Sequence, residues 1–174
     1  MIKIGIDVGS TTAKLVAVDE NDNLLFSKYE RHNAKAKETI LSFLKELLSE
    51  IGDKDISVRI TGSIGMGISE KCSLPFVQEV VAAAKAIQKD YSHVTSMIDI
   101  GGEDAKVVFF KDAEATDLRM NGNCAGGTGA FIDQMAIILG VNIDELNQLA
   151  MNATQVYPIA SRCGVFCKTD IQNL

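Results

Sequence analysis

A fifteen-residue pattern occurs twice in this chain, and no other feature restricts the possible folds as strongly. Residues 4–18 read IGIDVGSTTAKLVAV, and residues 96–110 read SMIDIGGEDAKVVFF. When Asp7 is aligned with Asp99, a glycine, a lysine and several apolar residues of the two copies also coincide. Each copy has an apolar run typical of a β-strand, an Asp at its end, a turn of small residues and a second apolar run. The repeat therefore predicts two β-hairpins with a carboxylate beside each tip.

The two tips, residues 9–12 (the first tip) and residues 101–104 (the second tip), have the chemistry of phosphate sites. Glycine lets a ligand approach the main chain, and it leaves N–H groups available to an anion. The neighbouring carboxylates can hold a cation, directly or through water. We expect the tips to face each other and to hold a phosphate chain with its metal ion. Two ordinary hairpins are the alternative, and the matched repeat argues against it.

The paired pattern resembles the phosphate-1 and phosphate-2 loops of the superfamily that contains actin, sugar kinases and Hsp70. This resemblance implies an α/β, actin-like ATPase fold with two duplicated ribonuclease-H-like domains and ATP in the cleft between them. Residues 1–93 are then expected to form the first domain, and residues 94–174 an incomplete second domain. The length of 174 residues suits one full domain and part of another.

The resemblance also implies roles for the residues of the two tips. Asp7 and Asp99 would lie near Mg²⁺. Asp99 could instead orient the attacking water, as could Glu103 or Asp104, because phosphoryl transfer depends mainly on positioning. Lys14 would neutralise phosphate charge or would simply be a surface lysine of the hairpin. The expected phosphate-binding residues are Gly9, Ser10, Thr11, Thr12, Lys14, Gly101, Gly102 and Asp104. Neither a Walker A loop nor a GxGxxG fingerprint is present in the sequence.

Composition excludes several classes of function. The net charge of −6 and the lack of a basic stripe argue against a nucleic-acid partner. No apolar run approaches the roughly 20 residues that a membrane helix needs, and the N-terminus has no signal-peptide pattern. We therefore expect a cytoplasmic protein with no membrane partner. In such a protein, four cysteines indicate metal binding or redox chemistry more strongly than they indicate disulfide bonds.

Two of the cysteines precede predicted helix starts, where the helix dipole favours a thiolate. Cys124 lies in NGNCAGGTGAF, and Cys163 lies in IASRCGVF. Together with DVGSTTAK and IDIGGEDAK, these motifs closely resemble the BadF/BadG/BcrA/BcrD ATPase family. Within that family they are most similar to the activators (component A, archerase) of 2-hydroxyacyl-CoA dehydratases. The motifs match in order and spacing over almost the whole chain.

This resemblance implies an activator that couples ATP hydrolysis to one-electron reduction of a partner (component D). The partner would be a 2-hydroxyacyl-CoA dehydratase or a related CoA-ester reductase. A 4Fe–4S cluster needs four thiolates, so Cys124 and Cys163 would supply two of them. A two-fold homodimer would supply the other two, with the cluster on its axis. The implied cofactors are ATP, Mg²⁺ and a 4Fe–4S cluster.

Two other functions remain open at this point. A sugar or small-molecule kinase of the same superfamily would need no iron, and a non-catalytic nucleotide-sensing module would bind ATP without hydrolysing it. A zinc site made of all four cysteines is disfavoured, because the chain lacks two closely spaced cysteine pairs. Cys72 is expected to be structural and Cys167 not to be a ligand.

Several local predictions bear on the site. His32 and His93 are expected to be solvated, since both flank the ends of predicted elements. Residues 61–67, with the sequence TGSIGMG, are expected to form a glycine-punctuated loop. Pro75 is expected to start a helix over residues 76–91.

Overall fold

The protein consists of two compact units, Met1–Ser92 and His93–Leu174. The computed structural model describes residues 1–112, 114–121, 124, 126–161 and 163–172. Each unit contains a β-sheet whose first hairpin is one copy of the repeat. Among the helices in those ranges, none is both long enough and apolar enough to cross a lipid bilayer.

The first unit has a four-stranded sheet in the order β3-β2-β1-β4. Strands β1 to β3 form an antiparallel meander, and β4 runs parallel to β1. The elements are β1 (Ile2–Val8), β2 (Thr12–Val18), β3 (Leu24–Arg31), α1 (Ala36–Ile51), β4 (Ile56–Thr61), α2 (Ser63–Cys72) and α3 (Glu79–Asp90). Strands β1 and β2 form the first of the two predicted hairpins.

The core of this unit lies between the sheet and α1. Every second residue of β1 is buried, from Ile2 to Val8, because successive side chains of a strand point to opposite faces. Helix α1 buries Ile40, Phe43 and Leu47 at helical spacing. Burying each large apolar side chain contributes about 1.5–3 kcal/mol. This packing holds the end of β1, and therefore Asp7, in a fixed position.

Two predictions about the helices of this unit were wrong. Residues 63–67 are the start of α2 and not a loop, because Gly65 serves close packing: a Cβ there would lie 2.9 Å from Cγ2 of Ile60. The helix predicted from residue 76 begins at Glu79. Pro75 and Val77 bond to the main chain of Ile60 instead, and this extends the segment alongside β4.

The second unit has a three-stranded antiparallel sheet in the order β5-β6-β7. Its elements are β5 (Ser96–Ile100), β6 (Ala105–Lys111), β7 (Glu114–Asn121), α4 (Gly129–Leu139), α5 (Ile143–Met151) and α6 (Gly164–Gln172). Lys106, Val108 and Phe110 alternate as the buried residues of β6. Helix α4 begins after Thr128, whose hydroxyl accepts a hydrogen bond from the Phe131 N–H (3.4 Å). The structure thus confirms a helix start immediately after the glycine-rich segment.

Candidate functional site

In the first unit, Asp7 and Lys14 form the charged pair beside the first tip. They are direct partners in the β1–β2 register, and Nζ of Lys14 lies 2.7 Å from Oδ2 of Asp7. The other carboxylate oxygen, Oδ1, is buried and has no hydrogen-bond partner in the described part of the chain. Asp7 therefore keeps spare acceptor capacity, as an oxygen ligand of Mg²⁺ or of its water shell requires.

His32 contacts the first tip through its ring and its main chain. The Gly9 N–H donates to the Thr12 carbonyl (3.0 Å), and the Gly9 carbonyl lies 3.0 Å from Nε2 of His32. The His32 N–H also donates to the Thr11 carbonyl (3.2 Å). His32 is only 4% exposed, so the prediction that it is solvated was wrong. The sequence places His32 just after β3, but only the hairpin geometry turns its ring under the tip.

Gly62 leaves the space that the Asp7 carboxylate occupies. It follows β4, the strand parallel to β1, and its φ is 90°. A Cβ at this position would lie 2.5 Å from Oδ1 of Asp7 and would also collide with the Val8 carbonyl. Only glycine allows this approach. The sequence shows the glycine, but only the parallel pairing of β4 with β1 shows what it contacts.

The second tip repeats this arrangement with one more carboxylate. Asp99 and Lys106 are register partners, like Asp7 and Lys14. Nζ of Lys106 lies 3.7 Å from Oδ2 of Asp99 and 3.1 Å from Oδ1 of Asp104. Lys106 is buried, whereas Glu103 is exposed. One buried ammonium group therefore compensates two carboxylates that remain partly open to solvent.

The second tip is bonded directly to the start of α4. The Gly101 N–H donates to the Asp104 carbonyl (2.9 Å), as the Gly9 N–H does to Thr12 in the first tip. The Gly101 carbonyl accepts from the Gly129 N–H (2.8 Å), and the Gly102 carbonyl accepts from the Ala130 N–H (3.1 Å). These donors belong to the first turn of α4, where N–H groups have no partner within the helix. A displacement of the tip must therefore move the helix N-terminus or break both bonds.

The segment just before α4 carries Cys124, which lies on the same cavity as two other cysteines. The cavity, here called the thiol cavity, has a volume of about 460 Å³ and is lined by Cys124, Cys163 and Cys167 among others. Cys124 is exposed, Cys163 is partly exposed and Cys167 is buried. Cys72 belongs to the first unit and is exposed at the end of α2, which argues against the predicted structural role.

Gly126 and Gly164 bring the two cysteine-bearing segments together. The Gly126 N–H donates to Sγ of Cys124 (3.4 Å). A Cβ on Gly126 would lie 3.3 Å from the main-chain nitrogen of Gly164, and a Cβ on Gly164 would lie 3.3 Å from Cα of Gly126. Within the described ranges, no three His, Cys, Asp or Glu side chains converge to hold a metal ion.

Residues 4–174 match the BadF/BadG/BcrA/BcrD ATPase family. The chain belongs to this family. It is 28% identical over 170 residues to the (R)-2-hydroxyglutaryl-CoA dehydratase activating ATPase of Acidaminococcus fermentans, an alignment that covers 97% of this chain and 65% of that protein. It is 30% identical over 184 residues to the 2-hydroxyisocaproyl-CoA dehydratase activator of Clostridioides difficile, with 98% and 65% covered. The chain therefore spans about two thirds of the length of these relatives.

Two solved structures resemble the fold. The crystal structure of component A of the Acidaminococcus fermentans (R)-2-hydroxyglutaryl-CoA dehydratase gives a TM-score of 0.88 at 28% identity, covering 99% of this chain and 67% of that one. The Clostridium difficile activator of 2-hydroxyisocaproyl-CoA dehydratase, with bound ADPNP, gives 0.85 at 30% identity, covering 98% and 64%. The fold is thus of the actin-like ATPase type, and the predicted α/β class and family are confirmed.

Sequence reasoning missed four positions that shape these sites. His32 and Gly62 support the first tip and Asp7, while Gly126 and Gly164 allow the cysteine segments to touch. The sequence shows where the glycines are but not what they contact. A glycine that permits close packing has the same letter as one that permits a turn, so the contact itself was needed to separate the two uses.

Proposed function

We propose that this protein is an ATP-dependent electron-transfer activator. In this proposal, ATP hydrolysis is coupled to the one-electron reduction of a 2-hydroxyacyl-CoA dehydratase or a related CoA-ester reductase. Family membership supports the use of ATP, and the relatives named as dehydratase activators support the class of partner. The related activator with bound ADPNP supports a nucleotide site in this fold.

One observation carries the coupling part of the proposal: the hydrogen bonds from Gly129 and Ala130 to the carbonyls of Gly101 and Gly102. They join the proposed phosphate-binding tip to the helix that directly follows the Cys124 segment. A change in the tip between nucleotide states would thereby reach the thiol cavity through two hydrogen bonds and a helix turn. Phe131 of the same helix lines the thiol cavity, and a kinase would need the tip but not the cysteines of that cavity.

The residues of the tips would bind and orient the nucleotide. The main-chain N–H groups and hydroxyls of residues 9–12 would bind phosphate oxygens, as would the glycines of the second tip. Asp7 and Asp99 would hold Mg²⁺ or its water ligands. Glu103 or Asp104 would position the attacking water, and Lys14 and Lys106 would balance the carboxylate charge. Their common role is preorganised electrostatics, on which phosphoryl transfer mainly depends.

Cys124 and Cys163 would hold a 4Fe–4S cluster shared with a second copy of the chain. A bound cluster of this kind would supply one-electron transfer at low potential. The fit rests on the donors: Cys124 and Cys163 line one cavity together with the buried Cys167, and the Gly126 N–H is directed at the Cys124 sulfur. Two thiolates are half of the set that the cluster needs, and a two-fold dimer doubles them.

Iron and sulfide analysis of the anaerobically purified protein tests this function, together with ATP hydrolysis. We expect the wild-type protein to contain iron and sulfide and to hydrolyse ATP. Cys124→Ser and Cys163→Ser should each lose iron, because a thiolate is replaced by a hydroxyl. The matched control is Cys72→Ser, which alters an exposed cysteine of the other unit and should keep its iron.

Variants of the tip residues should give a different result from the cysteine variants in these assays. Asp7→Asn and Asp99→Asn should lose ATP hydrolysis and keep iron, since neither residue lines the thiol cavity. Full iron retention in both cysteine variants would refute the cluster. ATP consumption that requires an added sugar or other small acceptor would point to the kinase.

A further inference from the structure

We propose that His32 is a positioning residue of the phosphate site: its ring clamps the first tip in the conformation that binds the triphosphate. This inference rests on the proposed use of ATP and goes beyond the residues assigned above. Two contacts define the clamp, from Nε2 of His32 to the Gly9 carbonyl (3.0 Å) and from the His32 N–H to the Thr11 carbonyl (3.2 Å). One residue at the end of β3 thus holds both sides of the tip.

The clamp orients the N–H groups of the tip. In a planar trans peptide, the C=O and the following N–H point in opposite directions. When His32 holds the Gly9 carbonyl beneath the tip, the Ser10 N–H must point away from His32. In the described residues, the N–H groups of Ser10 and Thr11 donate to no protein acceptor. Turning carbonyl oxygens inward also removes partial negative charge from the surface that a phosphate would approach.

The second tip has the same arrangement with a different donor. Gly101 corresponds to Gly9 in the repeat, and its carbonyl is held by the Gly129 N–H at 2.8 Å. Each tip thus closes with the same N–H donation, Gly9 to Thr12 and Gly101 to Asp104. Each also has its first carbonyl bonded to a donor outside the hairpin. The duplicated feature is therefore the inward carbonyl, and His32 performs in the first unit what the start of α4 performs in the second.

The contacts of the ring define its tautomer. A carbonyl only accepts hydrogen bonds, so Nε2 carries a proton. Nδ1 is buried and has no hydrogen-bond partner in the described part of the chain. A turn after His32 also holds the main chain from which the ring projects. The Lys35 N–H donates to the His32 carbonyl (2.7 Å) across a turn in which Asn33 and Ala34 have φ of 47° and 63°.

Nucleotide and tripolyphosphate binding to the full chain tests the clamp. His32→Leu removes the side-chain donor, and His32→Gln keeps an N–H donor at a similar reach. We expect His32→Leu to weaken binding of Mg·ATP and of tripolyphosphate by about tenfold or more, as the loss of one hydrogen bond that organises a charged site does. His32→Gln should restore most of the affinity. His93→Gln, an exposed histidine in the other unit, is the matched control and should bind as the wild type does.

Two further readouts separate positioning from a general effect on folding. Thermal unfolding should show that the Gln and Leu variants are both folded at the assay temperature. Nitrogen-15 spectra of the wild-type ring should show the Nε2–H tautomer, and an Nδ1–H ring would overturn the clamp. Wild-type affinity in folded His32→Leu would also overturn it, as would equal defects in the Leu and Gln variants. If the wild type binds tripolyphosphate but does not hydrolyse ATP, the proposed function fails and the binding series still decides the role of His32. If the wild type binds neither probe, both proposals fail.

Discussion

The amide nitrogen of Gly129 lies 2.8 Å from the carbonyl oxygen of Gly101. This hydrogen bond joins the first residue of α4 to the tip of the β5–β6 hairpin. The next residue pair, Ala130 and Gly102, adds a second bond of 3.1 Å. Because the Cys124 segment leads directly into α4, these two bonds are a short physical connection between the second tip and the thiol cavity.

Removing the Gly129 N–H should weaken this connection. Proline is tolerated at the first position of a helix, so Gly129→Pro should keep α4 while it loses the bond to Gly101. Gly129→Ala is the control: it keeps the N–H and adds a Cβ, which would lie 3.1 Å from the Gly101 oxygen. The measurement is the rate at which a thiol reagent labels Cys124 in iron-free protein, with and without Mg·ATP. We expect ATP to change the rate in the wild-type and Ala proteins and to change it much less in the Pro protein. An equal ATP effect in all three would contradict the connection.

Gly62→Ala should disturb Asp7 more than any other single methyl added to α2 or its cap. The added Cβ would lie 2.5 Å from Oδ1 of Asp7, and the alanine would have to adopt a φ of 90°. We expect a loss of about 2 kcal/mol or more in the free energy of unfolding, from strain and displaced backbone, together with loss of ATP hydrolysis. Gly67→Ala in the same helix is the matched control, because a Cβ there has no neighbour within 4 Å. Chemical denaturation and an ATPase assay measure both effects. Equal behaviour of the two variants would disprove the contact.

Gly164→Ala should impair iron binding without touching a cysteine. Alanine normally favours a helix, but here the methyl group would meet Cα of Gly126 and the ring of Phe131, each at 3.3 Å. Overpacking of this kind typically costs about 1–3 kcal/mol, and it would separate the Cys124 and Cys163 segments. We expect less iron per chain after anaerobic reconstitution. Thr169→Ala, on the exposed side of α6, should reconstitute as the wild type does; unchanged iron in Gly164→Ala would exclude the need for this contact.

Asp22 should make folding stability depend on acid pH. Its carboxylate bridges Lys3 (2.8 Å) and Lys89 (2.6 Å), and the hydrogen bonds from these lysines, with their charges, lower the pKa of Asp22 to about 2 from 3.8. Since the folded-state pKa lies below the unfolded value, the bridge stabilises the fold above pH 3.8 and is lost as the pH falls toward 2.

Asp22→Asn should therefore lower the melting temperature at pH 7, and the difference from the wild type should shrink between about pH 4 and pH 2. Asparagine tolerates the left-handed backbone at this position, where φ is 64°, so the comparison isolates the charge. The carboxylate is exposed, and salt should reduce the difference as well. A difference in melting temperature that stays constant from pH 7 to pH 2 would rule out the bridge as its source.

The secondary structure beside the two tips could be predicted because it depends on local pattern. Alternation of buried and exposed residues in β1 and β6 is a property of the strand itself. The prediction of a loop in the α2 region failed because it depended on contacts between distant segments. Gly62 and Gly65 look like a loop along the sequence, but both serve close contacts with β1 and β4. The prediction that His32 is solvated failed for the same reason, since a residue at the end of a strand can be solvated or buried according to what lies beside it.

By itself, the sequence determined the repeat, its two hairpins, the family and the residue types available at the candidate sites, namely Asp, Lys, Glu and Cys. These follow from composition and from spacing along the chain, which folding does not change. Only the tertiary structure decided which groups meet: His32 beneath Gly9, Gly62 against Asp7, and Gly126 against Gly164. Hydrogen bonds and van der Waals contacts act over a few ångströms, and segments distant in sequence come within that range only after the sheets and helices have packed.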